Sequence, residues 1–202
     1  FPEGREGTIS RLRAAVRCAD YSLAAYPDAA SAAAISASRG RVALAAGDFD
    51  VAYDSFQGGG RSDLTEQERQ ELRVWSAEAA LRAGRVRDAL ASVESFERST
   101  LPLPSTPGAE LVSPRVRSAA GDDVGAGIRL RRGLREGTFP RDRAVAAFML
   151  AEAAWRRGDG RGMLDALDAL TAKDRREYPD LARREPHVTG LAATLCEHFS
   201  FL

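Results

Sequence analysis

The chain has 202 residues, with 29 basic and 29 acidic side chains, so its formal net charge is zero. That length accommodates one or two ordinary domains and is enough to bury a core. The charge balance argues against a general binder of nucleic acid or anionic membranes, which carries a basic excess. The content, 44% hydrophobic and 29% charged, is typical of globular proteins and not of disordered ones.

The sequence gives little information on compartment. Cys18 and Cys196 lie near opposite ends and form neither a disulfide framework nor a zinc-binding pattern. No apolar run is long enough to span a membrane, so no membrane insertion is predicted. The chain begins at Phe1 with no initiator methionine or signal peptide, which indicates a piece of a longer protein. A cytoplasmic location is the default expectation, and the compartment stays open.

The first predicted element is a leading helix within residues 1–29. Apolar side chains recur at helical spacing between Thr8 and Ala25. They are Ile9, Leu12, Val16, Ala19 and Leu23. We interpret this helix as the second half of a truncated repeat unit, because the repeat described next has a period that places Ala15 in register with Ala52.

Residues 30–172 contain an internal repeat. Four small-residue turns carry glycines spaced 37 residues apart, namely Gly47, Gly84, Gly121 and Gly158. Seven residues before each glycine stand Gly40, Ala77, Pro114 and Ala151. Five residues after each stand Ala52, Ala89, Ala126 and Met163. Nine residues after each stand Phe56, Val93, Leu130 and Leu167. These columns are mostly small or apolar, and the third unit matches least well.

Helical periodicity surrounds each turn. Apolar residues recur every three or four positions before and after Gly84, which stands where a helix ends in a left-handed residue. The segments Val145 to Arg157 and Met163 to Leu170 flank Gly158 in the same way. No stretch shows sustained strand alternation, so each unit is predicted to be a helix, a tight turn and a second helix.

The sequence pattern at the turns resembles the tetratricopeptide repeat. The run from Gly47 through Asp48 to Ala52 recurs as Gly84 through Arg85 to Ala89. The resemblance implies an all-α fold, an α-solenoid of antiparallel helix pairs with about four units plus terminal helices. It implies one domain over 1–202, with repeats over 30–172 and C-terminal capping helices over 173–202. The period exceeds the family's usual value of about 34 residues. A pentatricopeptide-like or Sel1-like repeat is an alternative.

Two connections and the tail depart from the repeat. The loop over residues 58–63 leads into a helix start capped by Asp63 or Thr65. The Pro-rich stretch over 99–108 is interpreted as a surface loop, with gating of a groove as the alternative. It is expected to shorten the next helix, with Pro114 in the first turn and Ser113 as its cap.

The tail is predicted to cap the array. Pro179 and Pro186 interrupt it, and a last helix is expected from about Val188 to Phe199.

No motif points to catalysis, a metal or a cofactor. The neighbours Cys196, Glu197 and His198 lack the spacing of three or four that metal ligands on one helix need. The glycine-dense run over 158–162 follows a helix and lacks the lysine of a phosphate-binding loop, so we interpret it as a repeat turn. The chain is therefore predicted not to be an enzyme.

The strongest local charge feature is the arginine run over residues 129–135. Arg129 and Arg132 share one helix face, as do Arg131 and Arg135. We interpret the run as a solvated helix face, with a phosphate- or nucleic-acid-binding stripe as the alternative.

A partner-binding groove is predicted on the first helices of the units. Six residues before each turn glycine the charge sign alternates, at Arg41, Glu78, Arg115 and Glu152. These residues form either a ladder of ion pairs or a mixed-charge groove for a peptide. Ten residues before each glycine stand Ala37, Val74, Leu111 and Phe148. The predicted groove residues are Arg41, Val74, Glu78, Arg115, Phe148, Glu152 and Trp155.

Three functions follow as hypotheses. The first is a non-catalytic scaffold that binds a protein or peptide in a concave groove, within a larger bacterial protein or assembly. The second is a ligand-sensing region of a signalling or transcriptional protein. The third is RNA binding by a pentatricopeptide-like array, which the neutral charge makes the weaker expectation.

Overall fold

A computed structural model describes residues 2–27, 31–58, 64–104, 108–139, 142–180 and 187. Within these residues the fold is all-helical, as predicted, and contains no strand. The helices are α1 (Pro2–Ala25), α2 (Ala32–Ala46), α3 (Phe49–Gly58), α4 (Glu66–Arg82), α5 (Val86–Glu97), α6 (Ala109–Ala119), α7 (Asp123–Glu136), α8 (Arg143–Arg156), α9 (Gly160–Asp168) and α10 (Ala172–Glu177).

The chain divides into two compact units, Phe1–Val112 and Ser113–Leu202. In the first unit each helix from α1 to α5 packs against the next one along the chain. In the second unit α7 packs against α8, and α8 against α9. The packed hairpins agree with the predicted helix pairs, while the solenoid and its single-domain organisation stay predictions.

The four repeat glycines form four turns of the same geometry. Their φ angles are 85°, 76°, 82° and 71°, in the left-handed region that glycine adopts without strain. In each turn the residue after the glycine donates its N–H to the carbonyl five positions earlier. These bonds are Asp48 to Ala43 (2.9 Å), Arg85 to Ala80 (2.8 Å), Asp122 to Arg117 (2.8 Å) and Asp159 to Ala154 (2.9 Å). This pairing satisfies the last carbonyls of each first helix and ends it at the predicted position.

The aligned columns form the core of each unit. Five residues after the turn glycine, Ala52, Ala89 and Ala126 have no exposed surface and Met163 has almost none. The column seven residues before the turn glycine must be small for a steric reason, which is clearest at Gly40. A Cβ added there would lie 2.5 Å from the Phe56 ring. Small residues thus let paired helices approach closely, and α8 is the clearest case. Its buried alanines are Ala144, Ala146, Ala147, Ala151, Ala153 and Ala154.

Thr65 is the cap of α4. Its Oγ1 accepts from the Glu68 N–H, and its own N–H donates to the Glu68 carboxylate, which completes a capping box. The alternative cap, Asp63, lies outside the described residues.

The predicted start of the third unit's first helix is wrong. Pro114 lies inside α6 and not in its first turn, because the helix already begins at Ala109, directly after the left-handed Gly108. Leu111 and Val112 are almost fully buried, so extending the helix towards its N-terminus gains apolar burial. That gain outweighs the hydrogen bond that Pro114 cannot donate to the Glu110 carbonyl.

The predicted capping segment is described only in part. α10 forms with Thr171 as its cap, and Thr171 and Asp174 complete a capping box. The predicted last helix over 188–199, with Cys196 and His198, lies outside the described residues.

Candidate partner-binding site

The predicted groove residues of the first unit differ in accessibility. Arg41 is exposed on α2, and its guanidinium lies 2.9 Å from the Glu71 carboxylate. Val74 has no exposed surface and packs in the core. Glu78 is only 5% exposed, and Arg82 donates to its carboxylate at 2.7 Å. Of these three residues, therefore, Arg41 is the one that presents its side chain to solvent.

The groove residues of the second unit show the same division. Phe148 is buried in α8, whereas Glu152 and Trp155 on the same helix are exposed, Trp155 by 52%. Arg115 on α6 is half-buried and has an interaction partner. The apolar column predicted to touch a partner thus packs inside each unit, and the charged and aromatic members offer the accessible surface.

A cavity of about 420 Å³ opens within the second unit, between α7, α8 and α9. Its floor is apolar. The floor residues are Leu134, Leu150, Gly162, Ala166 and Ala169, and the charged lining residues are Arg131, Arg135, Arg143 and Asp165.

The three arginines of the cavity have different surroundings. Arg143 is held in place, because its Nε and Nη2 donate to the Ala169 carbonyl at 3.2 and 2.9 Å. Its Nε also lies 3.6 Å from the Asp174 carboxylate. Arg131 and Arg135 form no ion pair within the described part of the chain, so their charges face the cavity and solvent uncompensated.

Asp174 stays ionised beside Arg143 for a physical reason. Its burial opposes the charged form, but hydrogen bonds from the Thr171 side chain and backbone, together with the Arg143 charge, outweigh that effect. The pKa of Asp174 therefore lies below its ordinary value. This carboxylate thus compensates the Arg143 charge at the cavity.

An exposed stripe on α7 leads to the cavity. Val124 and Ile128 are 60% and 59% exposed, and Arg131 and Arg135 follow on the same helix face at intervals of three and four residues. From Val124 to Arg135 the stripe is about 16 Å long at the usual helical rise per residue. It presents apolar surface at one end and two guanidinium groups at the other.

The equivalent junction of the first unit is smaller and polar. A cavity of about 220 Å³ lies there between α3, α4 and α5, and six of its eight lining residues stand two repeat intervals before lining residues of the larger cavity. Tyr53 occupies the position of Gly127, with its ring centroid 4.1 Å from the Arg85 guanidinium. Gln57 occupies the position of Arg131 and donates to the Ser76 hydroxyl at 2.9 Å. The first junction is thus partly filled by side chains that bind one another.

The sequence located the arginines but not the cavity. The sequence predicts that Arg131 and Arg135 share a helix face, which α7 confirms, and it indicates a solvated surface. The missed signal is in the repeat alignment itself, where Gly127 replaces the aromatic Tyr53. A glycine in that column removes the side chain that fills the first junction.

Metal and membrane sites receive no support from the described residues. No group of three or more His, Cys, Asp or Glu side chains within them has the arrangement of a metal site. No helix in the described ranges has both the length and the apolar character to cross a membrane. Cys18 and His187 are exposed.

Comparison with protein-family models, curated proteins and solved structures gave no match to the chain.

Proposed function

We propose that the chain is a non-catalytic, tetratricopeptide-like helical-repeat module that binds a protein or peptide as part of a larger protein or assembly. The observation that supports this most is the recurrence of one turn geometry, with one hydrogen-bond pattern, at four glycines spaced 37 residues apart. Repeated helix pairs present a preformed surface, so a ligand pays little ordering cost on binding.

The accessible side chains support a binding role. Arg41, Glu152 and Trp155 of the predicted groove are exposed, and arginine and tryptophan are enriched among residues that dominate binding energy. The stripe on α7 adds apolar and cationic surface in the second unit.

Selection from a random peptide display library tests this proposal. The intact chain is the immobilised bait, and recovered peptides are synthesised and titrated by fluorescence anisotropy. We expect saturable binding that Arg41→Ala or Trp155→Ala weakens if the predicted groove is used. Tyr21→Ala removes a comparably exposed aromatic side chain on α1 and serves as the control. A selection that yields no peptide with saturable binding to the folded chain contradicts the proposal.

Ligand sensing is the second candidate, and the larger cavity is the observation that favours it. Its volume of about 420 Å³ falls within the usual range of small-molecule pockets, about 300–1,000 Å³. A thermal-shift screen against metabolites tests it, because a ligand at a hundred times its Kd stabilises the folded state by about 2.7 kcal/mol. A shift that Gly127→Tyr abolishes supports sensing, and no shift with any metabolite contradicts it.

A further inference from the structure

We propose that the α7 stripe and its cavity bind an acidic peptide segment that also carries apolar side chains. Glutamate or aspartate carboxylates pair with Arg131 and Arg135, and apolar side chains pack on Val124, Ile128 and the cavity floor. This inference rests on the proposed function and specifies the chemistry of the partner and the face that receives it.

The charge distribution on α7 favours an acidic partner. Arg131 and Arg135 lie one turn apart on α7, and like charges at that spacing destabilise a helix. Neighbouring Arg132 is compensated by Glu136 at 2.9 Å, whereas these two have no ion-pair partner among the described residues. Bound carboxylates relieve the repulsion and form charge-assisted, bidentate hydrogen bonds with the guanidinium groups.

The shape of the surface favours a peptide over a small anion. The stripe extends for about 16 Å along α7, and its far end is formed by Val124 and Ile128, which no carboxylate or phosphate would contact favourably. Val124 and Ile128 form an exposed apolar pair beside the cavity-lining arginines, a surface that apolar side chains of a peptide can cover.

The composition of the cavity favours a peptide over nucleic acid. Its floor of leucine, alanine and glycine contains no aromatic side chain on which a base stacks. An aliphatic side chain flanked by carboxylates matches both the floor and the arginines.

The first unit shows why the junction of α3, α4 and α5 lacks this site. The positions of Val124 and Ile128 are there occupied by Asp50 and Asp54, whose carboxylates lie 3.9 and 3.6 Å from the Arg85 guanidinium. The charged side chains of that junction therefore pair with one another. In the second unit Asp159 replaces this arginine and caps α9 instead, accepting from the Gly162 N–H at 2.7 Å.

Fluorescence anisotropy with the intact chain and three labelled synthetic peptides tests the inference. The first peptide combines two leucines with two glutamates. In the second and third, the glutamates become glutamine or lysine. We expect saturable binding of the glutamate peptide, weakening with added salt, and at least about tenfold weaker binding of the glutamine peptide.

Charge variants then locate the site. Arg131→Glu or Arg135→Glu should weaken the glutamate peptide by about tenfold and favour the lysine peptide. The control Arg132→Glu makes the same charge change on α7 outside the cavity lining and should leave affinity unchanged. Asp165→Asn removes the opposing carboxylate and should tighten the glutamate peptide by about two- to threefold, a gain that misfolding cannot produce.

Three outcomes overturn the inference. In one, peptides recovered from the display library bind, but Arg131→Glu and Asp165→Asn leave their affinities unchanged, which leaves the proposed function standing. In another, succinate or phosphate displaces the peptide completely at equal concentration, which reduces the site to an anion site. In the third, a uridine oligonucleotide binds the arginines and the glutamate peptide does not.

Discussion

At the junction of α3, α4 and α5, Tyr53 packs beside the Arg85 guanidinium, while at the corresponding junction of α7, α8 and α9 the aromatic side chain is replaced by Gly127. The first cavity is about 220 Å³ and polar, and the second is about 420 Å³ with an apolar floor. The same backbone frame therefore supports one junction partly filled by internal contacts and one with a larger, apolar cavity.

The comparison separates what the repeat fixes from what it leaves variable. The turn glycines and buried columns fix how the helices of a pair meet. Side chains on the exposed face of each second helix decide whether the neighbouring junction closes, since Asp50 and Asp54 bind Arg85 but Val124 and Ile128 have no such partner in the described chain. Open junctions are where binding surface is expected.

The largest expected effect tests whether the two units share equivalent core positions. Phe56→Ala should cost about 3–5 kcal/mol and Leu130→Ala about 2–5 kcal/mol, because both side chains are fully buried and leave cavities. Hydrogen exchange should accelerate across the unit that carries each substitution. Ile128→Ala, on the exposed face of α7, should change stability by less than about 0.5 kcal/mol. An effect that small at Phe56 or Leu130 would show that the aligned column is not the core.

Two glycine substitutions are expected to change the free energy of unfolding in opposite directions. Gly40→Ala should destabilise the first unit by about 1–3 kcal/mol, because the new Cβ would lie 2.5 Å from the buried Phe56 ring. Gly127→Ala should stabilise the second unit by up to about 1 kcal/mol through helix propensity. Its Cβ would lie 3.4 Å from the Arg157 Nη1 and 3.7 Å from the Leu150 Cδ1, which are tolerable contacts.

Denaturant unfolding of both variants measures these changes. Equal signs for the two substitutions would contradict the difference in packing around Gly40 and Gly127.

The helix caps differ between the units and give a smaller effect. The Asp122 and Asp159 carboxylates accept from the Gly125 and Gly162 N–H groups at 2.8 and 2.7 Å, whereas Arg85 at the start of α5 makes no such bond. Asp122→Ala should cost about 1 kcal/mol, and Asp122→Asn should retain most of that stability. Thermal unfolding of the alanine and asparagine variants tests this, and equal losses would show that charge and not capping matters.

The smallest effect is a pH dependence. A hydrogen bond from the Arg156 guanidinium outweighs desolvation and, aided by Ser118, lowers the pKa of Asp123. Since the unfolded carboxyl titrates near about 3.9, this pair stabilises the fold above about pH 4–5 and ceases to do so as pH falls through the folded-state pKa. Asp123→Asn should cost less than about 1 kcal/mol at neutral pH and nothing in acid.

Much of the fold could be predicted from the sequence because its signals are local. A glycine at the turn and small residues around it are sufficient to place Gly84 between α4 and α5. The start of α6 could not be predicted, since proline propensity favours Pro114 in a first turn and only tertiary burial of Leu111 and Val112 overrides it.

The site was less predictable because it depends on which neighbour covers each helix face. Val74 and Phe148 follow the same periodicity whether they fill a core or line a groove, and burial alone distinguishes the two. The sequence pattern shows Arg131 and Arg135 as a pair. The space beside them is formed with Leu150 and Ala166, which belong to other helices.

The buried alanines of α8 have a consequence for the entropy of folding. Ordering an alanine side chain costs no rotamer freedom, whereas each leucine or isoleucine costs about 0.5–1 kcal/mol. The six buried alanines of α8 therefore pack without side-chain ordering, and Phe148 and Leu150 are the buried α8 side chains that lose rotamer freedom. For the same reason these alanine positions tolerate few substitutions. Almost every other side chain adds volume there that no rotamer change can absorb.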